Sequence, residues 1–153
     1  MVTERLCIAG LEAANADGVI RALALRLLAC GHVHPSFEKA ALTREKRSPT
    51  GLPFEGAAVA LPHAEPEHVV SPAIAVATLT TPVRFRQMGD PATQLSVQLV
   101  VMPALTQKQQ AAGELARLLE LLQSAALRQA LLAAIDPAAM CRILNDTLGE
   151  AGG

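Results

Sequence analysis

The hydrophobic pattern of the chain is first helical, then strand-like, then helical again. Apolar residues recur at four-residue spacing from 19 to 27, behind cap residues at 15–17, and predict an amphipathic helix that ends at Gly31. A second helix is expected to begin with Ser36 as its N-cap and to end near Arg47. The N-terminal third of the chain is therefore predicted to be mostly helical.

Strand-like runs occupy the middle of the chain and predict a β-sheet. Residues 48–51 are predicted as a loop and residues 89–91 as a turn, because both carry proline and glycine. The last run alternates at first and then becomes wholly apolar, as a central strand can. The predicted strands are a short one at 6–9, then 56–61, 74–79 with an edge continuation at 83–85, and 95–102.

The C-terminal part returns to a helical period from Thr106 onwards. Apolar faces at 115–122 and 127–134 predict two helices, and Asp136-Pro137 marks the start of a last helix with Asp136 as its N-cap. The chain has no internal repeat and no linker long enough to separate domains. It is therefore predicted to be one α/β domain over residues 1–153, with a mixed β-sheet layered with helices.

Composition and charge narrow the class of protein. Hydrophobic residues make up 51% of the chain but aromatic residues only 2%, so the core must be built from Leu, Ala, Val and Ile. A net charge of −1 argues against a nucleic-acid binder or a membrane-surface protein. No stretch reaches the ~18 apolar residues of a spanning helix, and the N-terminus lacks a signal-peptide pattern. The widely separated Cys7, Cys30 and Cys141 are typical of reduced thiols in a cytoplasmic protein.

The stretch that carries reactive side chains is Pro62-His63-Ala64-Glu65-Pro66-Glu67-His68, directly after the apolar run 56–61. In α/β proteins, strand ends are where ligands bind. Pro62 lacks an N–H, so it ends the sheet pairing and holds His63 on a stiff backbone. Histidine, with an unperturbed pKa of ~6.5, is largely neutral at pH 7, and one ring nitrogen then has a free lone pair. The other ring nitrogen needs a hydrogen bond that fixes the tautomer.

The residues alone leave three interpretations of His63 open. As a phosphate acceptor it needs hydrogen-bond donors nearby. The candidate donors are Arg44, Thr50 and His68. As a metal ligand it would belong to a compact set of nitrogen and oxygen ligands, although the spacing matches no helical zinc motif. The candidate ligands are His63, Glu65, Glu67 and His68. The third interpretation is a structural histidine, which is also how we interpret His32 and His34.

Three motifs together resemble a known protein family. They are Arg44-Glu45-Lys46, Pro49-Thr50-Gly51 and Val59-Ala60-Leu61-Pro62-His63. In this combination the chain is similar to the enzyme IIA component, fructose/mannitol superfamily, of the bacterial phosphoenolpyruvate:sugar phosphotransferase system. Gly31-His32-Val33-His34, and the spacing of Glu65 and His68 after His63, resemble the galactitol branch. The resemblance implies a single α/β domain whose mixed β-sheet is flanked by helices on both faces.

The resemblance also implies a function and the roles of site residues. A IIA protein accepts a phosphoryl group from phospho-HPr on a histidine, here His63. It passes the group to a cysteine of a IIB protein or domain for sugar uptake, here of galactitol type. Arg44 matches the arginine that stabilises the phosphate charge, and Glu45 is expected to orient Arg44. No cofactor and no metal ion is implied. Nucleic-acid binding and membrane insertion are not expected, although peripheral association with the permease is compatible with this function.

One departure from the family concerns a second active-site histidine. Many members carry it at the start of the helix after the last core strand, where Lys108 stands here, and no histidine follows His68. We therefore expect His68 to orient His63, with charge from Lys108 as the alternative. Two other functions stay open: a regulatory, nitrogen-type IIA-like protein that acts through its phosphorylation state, and a metal-dependent hydrolase. Residues 52–54 are candidates either for an apolar partner-binding surface or for loop packing.

Overall fold

The structure, a computed structural model, describes the backbone of residues 1–152 and the side chains of residues 1–149. Two short 3₁₀ turns, Glu4–Leu6 and Pro66–His68, accompany the strands and α-helices. The strands are β1 (Cys7–Leu11), β2 (Gly51–Leu52), β3 (Ala58–Ala60), β4 (Ala73–Gln87) and β5 (Asp90–Ala104). The helices are α1 (Ala16–Ala29), α2 (Phe37–Arg47), α3 (Gln107–Ala111), α4 (Glu114–Leu122), α5 (Ala125–Ala133) and α6 (Pro137–Gly152).

The five strands form one mixed sheet around a long hairpin. β4 and β5 pair antiparallel along most of their length. β1 runs parallel to β4, and β3 runs parallel to β5 with Ala60 opposite Val100. β2 pairs antiparallel with β3, and its Gly51 also pairs with Gln87 at the far end of β4. The predicted mixed sheet is therefore confirmed.

Two apolar cores lie on opposite faces of this sheet. Helices α1 and α2 cover the first core, which includes Leu23. Helices α4, α5 and α6 cover the second core, which includes Leu122. Neighbouring residues of β4 face different cores, Ala75 the first and Val76 the second, because successive side chains of a strand point to opposite faces. The expectation of helices on both faces is confirmed.

Three strands differ clearly from the prediction, and β5 is one of them, because it begins at Asp90 inside the predicted turn at 89–91. The loop expected at residues 48–51 ends in the short strand β2, whose backbone lies so close to β4 that a Cβ at Gly51 would be 2.6 Å from the Arg86 carbonyl oxygen. Only glycine fits this contact, which the sequence pattern does not reveal. The strand β4 also continues through Pro82 to Gln87, because an irregularity in its pairing with β5 lies between Thr78 and Val83 and accommodates the proline.

The predicted helix starts are largely correct. Asn15 accepts a hydrogen bond from the Gly18 N–H at 3.0 Å, and Asp136 accepts one from the Ala139 N–H at 2.8 Å, so both are N-caps. The helical region after Thr106 is divided, because Gly113 adopts a left-handed φ of 78° between α3 and α4. Within residues 1–152, no helix has the length and the apolar character that crossing a membrane requires.

Candidate active site around His63

His63 lies where the parallel strands β3 and β5 approach their ends, two residues beyond Leu61. Its side chain is buried, at 8% relative exposure. The ring nitrogen Nδ1 lies 2.8 Å from the Leu61 carbonyl oxygen and donates its proton there, which leaves the lone pair on Nε2. Nε2 has no partner among the described residues and is not one of their fully buried unpaired polar atoms, so it is open to solvent.

The surroundings of His63 keep its ring neutral. Burial lowers the pKa of His63 from its ordinary value of 6.5, and the nearby Arg44 cation lowers it further. The hydrogen bond to Leu61 and the charge of Glu65 act in the opposite direction without reversing the shift. A neutral ring with a fixed tautomer presents a nucleophilic Nε2 at pH 7.

A buried hydrogen-bond relay holds the backbone in front of His63. The Glu45 carboxylate accepts two bonds from Thr50, one from its N–H at 2.9 Å and one from its hydroxyl at 2.8 Å. The Thr50 hydroxyl oxygen in turn accepts from the Leu61 N–H at 3.1 Å. Because the Leu61 carbonyl accepts from His63, both main-chain polar groups of Leu61 are engaged. The Pro49-Thr50-Gly51 motif therefore fixes the position of His63.

The expected contact between Glu45 and Arg44 is wrong, because a different acid pairs with the arginine. Arg44 Nε donates to Glu65 Oε1 at 3.2 Å, whereas the Glu45 carboxylate points to Thr50. Burial raises the pKa of Glu45, and the two bonds from Thr50 offset part of this shift. Arg86 donates to the main-chain carbonyl of Glu45 at 3.3 Å and so anchors the end of α2. Glu45 acts on the site through the backbone.

A cavity of about 400 Å³ lies between α2 and the segment that follows His63. Its lining is rich in basic side chains and includes Arg44 and Glu65. The lining residues are Ser36, Lys39, Ala40, Thr43, Arg44, Arg47, Glu65 and His68. Arg44 lines this cavity and its charge also acts on the His63 ring, so it connects the basic lining with the reactive histidine.

His68 lies in the wall of this cavity and is held by a serine. Its Nδ1 lies 2.8 Å from the Ser36 hydroxyl oxygen, and no hydrogen bond joins it to His63. The orienting contact expected from His68 is made by the Leu61 carbonyl instead. Ser36 is the N-cap residue as predicted but makes no side-chain capping bond: its backbone is helical, with φ −72° and ψ −13°, and its hydroxyl bonds to His68.

The galactitol-like motif at 31–34 packs directly against the end of the His63 segment. The His34 N–H donates to the His68 carbonyl at 2.9 Å, and the Val70 N–H donates to the His32 carbonyl at 2.8 Å. His32 Nδ1 also lies 2.9 Å from the Ser71 hydroxyl oxygen, as a structural histidine would. Among residues 1–149, no three His, Cys, Asp or Glu side chains are grouped to hold a metal ion. The ligand set that the hydrolase interpretation requires is not assembled there.

Lys108 stands at the same end of the sheet as His68. Its helix α3 packs beside the turn Pro66–His68, and the Lys108 side chain is exposed. Within residues 1–149, no hydrogen bond or ion pair of that side chain is formed. Lys108 is therefore free to meet an anion that approaches the site from solvent.

Sequence reasoning missed the residue that fastens the loop before β3. Arg128 is buried and donates to the carbonyls of Leu122 at 2.7 Å and Glu55 at 3.0 Å. Its guanidinium also lies 4.7 Å from the centre of the Phe54 ring. Phe54 thus packs on the second core and under Arg128, while Pro53 is exposed. A helical arginine whose partners are main-chain carbonyls has no sequence signature.

We predict that Thr50→Val destabilises the protein by about 2–4 kcal/mol, because it removes the hydroxyl that serves two buried hydrogen bonds. Chemical denaturation at pH 7 measures this change. Thr50→Ser keeps the hydroxyl and is the matched control, with a loss of less than about 1 kcal/mol expected. Equal losses in the two variants would show that the threonine methyl group, and not the relay, supports the site.

We also predict a pH dependence that originates from His63. Because burial lowers its folded pKa below the ordinary value of 6.5, the unfolded chain binds a proton that the folded protein does not. The stability that the neutral ring contributes is complete above 6.5 and is lost as the pH falls through the folded pKa. The free energy of unfolding should therefore fall more steeply between about pH 8 and pH 5 in the wild type than in His63→Gln. Urea titrations of both proteins at pH 8 and pH 5 measure the free energy of unfolding. An equal decrease in the two proteins would contradict the lowered pKa of His63.

Comparisons with known proteins show the family of this chain. The chain matches the family "Phosphoenolpyruvate-dependent sugar phosphotransferase system, EIIA 2" over residues 1–147. The galactitol-specific EIIA component of Escherichia coli is 33% identical over 101 residues, which are 66% of this chain and 67% of the relative.

Solved structures share the fold at lower sequence identity. The crystal structure of the mannitol IIA of Escherichia coli superposes with a TM-score of 0.74 at 22% identity and covers 94% of this chain and 99% of that chain. A complex of the mannitol enzyme IIA with phosphorylated IIB from the same organism gives 0.75 at 20% identity, covering 98% and 99%. With the family matched over nearly the whole sequence, this chain belongs to the EIIA type 2 family of the sugar phosphotransferase system.

Proposed function

We propose that the protein is a phosphocarrier that accepts a phosphoryl group on Nε2 of His63 from phospho-HPr and passes it to a cysteine of a IIB protein. The observation that carries this proposal is the geometry of His63: a neutral ring, held at Nδ1 by Leu61, with Nε2 open to solvent and Arg44 nearby. The half-buried His32, which we interpret as structural, is instead held by the Ser71 hydroxyl and is not part of this arrangement.

The first transfer exchanges one nitrogen–phosphorus bond for another. The Nε2 lone pair of His63 attacks phosphorus, and the bond between phosphorus and the donor's histidine breaks with its electron pair left on the donor ring. The His63 ring now carries a partial positive charge, which the Leu61 carbonyl stabilises through the Nδ1 proton. The Arg44 guanidinium opposes the negative charge of the transferred group. Neither the donor nor His63 needs a cofactor for this exchange.

The second transfer reverses the first at His63. A cysteine thiolate of the IIB partner attacks phosphorus, and the Nε2–phosphorus bond breaks with its electron pair returned to Nε2. The ring is again the neutral species that burial and Arg44 favour. The complex of a mannitol IIA with phosphorylated IIB, which has the same fold, supports a IIB partner for this step.

Transport of a galactitol-like sugar is favoured over a regulatory role by the 33% identity to a galactitol-specific component. The packing of the motif at 31–34 against the His63 segment supports the same branch, because it gives that motif a place in the site. In this role the protein is cytoplasmic and meets the membrane only through the permease that its IIB partner serves.

We predict that the wild type gains one phosphoryl group when it is mixed with phosphoenolpyruvate, enzyme I and HPr, and that His63→Ala gains none. Intact mass at neutral to alkaline pH, where phosphohistidine survives, measures the transfer. His63→Ala should remain folded, because the ring contributes one hydrogen bond at the edge of the sheet. Phosphate on both proteins, or on neither, would refute His63 as the acceptor.

We predict that His68→Ala slows the transfer by roughly tenfold or less without stopping it. His68 lines the cavity beside Arg44 but does not hold His63, so its loss should leave the acceptor nitrogen in place. Lys108→Ala is the matched comparison for the exposed cation on α3. Stopped-flow rates of transfer from phospho-HPr separate the two. If phosphoryl transfer were slow in Lys108→Ala but as fast as the wild type in His68→Ala, Lys108 and not His68 would be the residue that supports the reaction.

A further inference from the structure

Arg44 is already paired with an anion when His63 is unphosphorylated. Its Nε donates to Glu65 Oε1 at 3.2 Å, and the two side chains are 26% and 52% exposed. Arg44 is also the guanidinium that the proposed function requires for the phosphoryl group. One donor of Arg44, Nε, is therefore occupied by a carboxylate before any phosphoryl group arrives, and the charge of the guanidinium is already partly neutralised.

Glu65 is held close to His63 by the backbone between them. It follows His63 by two residues, and the prolines at 62 and 66 restrict the chain on either side. Its own backbone is extended, with φ −65° and ψ 154°. Its charge acts on the His63 ring, as does that of Arg44 with the opposite effect. A dianion on Nε2 would therefore repel the Glu65 carboxylate, which can yield only by moving its side chain.

The cavity offers that carboxylate other cations. Lys39 and Arg47 line it together with Arg44 and Glu65. Within residues 1–149, neither the Lys39 nor the Arg47 side chain makes an ion pair. Arg47 stands three residues after Arg44 on α2 and Lys39 five residues before it, and both line the same cavity. A carboxylate displaced from Arg44 would find a positive environment a short distance away.

We propose that Glu65 is a positioning residue that competes with the phosphoryl group for Arg44. The Glu65 carboxylate pairs with the Arg44 guanidinium while His63 is unphosphorylated. When His63 is phosphorylated, the guanidinium pairs with the phosphoryl group and the Glu65 side chain turns towards Lys39 and Arg47. This inference rests on the proposed function. When the phosphoryl group leaves, Glu65 pairs with Arg44 again. This competition limits how tightly the phosphoryl group is held, so the protein can pass it on.

The first test uses inorganic phosphate as the probe and needs no partner protein. Phosphate is titrated into the unphosphorylated protein and followed by NMR of the backbone amides. We expect Glu65→Gln to bind phosphate about two- to fivefold more tightly than the wild type, the size expected for loss of a partly exposed ion pair. Arg44→Gln should bind it more weakly than the wild type.

Glu67→Gln is the matched control for charge. Glu67 lies in the same segment, its side chain is 77% exposed, and its carboxylate lies 4.0 Å from His68 Nε2. The Glu67→Gln substitution removes one negative charge but leaves the pair of Arg44 and Glu65 intact. The phosphate affinity of this variant should therefore stay within twofold of the wild type. Equal gains in Glu65→Gln and Glu67→Gln, or no gain in either, would overturn the competition. Equal phosphate affinity in the wild type and in Arg44→Gln would also overturn the proposed competition.

The second test measures the phosphoryl equilibrium with phospho-HPr. Glu65→Gln should shift it towards the phosphorylated protein by about the same factor as it tightens phosphate binding, whereas Glu67→Gln should not. Tighter phosphate binding in Glu65→Gln, with no phosphoryl transfer to the wild type, would support the competition and refute the phosphocarrier. Transfer to the wild type with an unshifted equilibrium in Glu65→Gln would support the phosphocarrier and refute the competition.

Discussion

The site depends on the two hydrogen bonds that the Thr50 hydroxyl group makes. It donates to the Glu45 carboxylate and accepts from the Leu61 N–H, both in buried surroundings. A hydroxyl with one proton and two fixed partners has a single orientation. It therefore locks the end of β3 to the end of α2, and the Leu61 carbonyl is left facing the His63 ring. Pro62 has no N–H to make a competing bond.

Two opposing demands meet at His63. A phosphoryl acceptor must be neutral before the transfer, and it carries an anionic group after it. Burial, the largest influence on the His63 pKa, meets the first demand because it disfavours the imidazolium. The Arg44 cation serves both: it disfavours the imidazolium before transfer, and it attracts the phosphoryl group afterwards. A site that relied on burial alone would also disfavour the phosphorylated product.

The periodicity predicts a mixed sheet layered with helices, and the Pro-His step singles out His63 as a candidate, because both depend on local patterns. The phosphate-acceptor role of His63 comes from the family resemblance. The errors concern partners that only the tertiary structure brings together. Ser36 is the N-cap residue of α2 as predicted, but its hydroxyl bonds to His68, 32 residues away, and makes no capping bond. Glu45 does not pair with the adjacent Arg44, because neighbouring residues on a helix point about 100° apart. The acid that does pair with Arg44, Glu65, lies on another segment.

That angle explains how one helix serves the site in two ways. Glu45 turns inward and fixes the strand end through Thr50, while Arg44 turns to the cavity and presents its charge. The end of α2 that carries both is itself anchored, because Arg86 of β4 donates to the Glu45 carbonyl. The hydrogen bonds of Thr50 and Arg86 therefore tie the segment that carries His63, and the helix end that carries Arg44, to the sheet. In such a frame the Arg44 side chain can exchange one anion for another while the backbone around His63 stays in place.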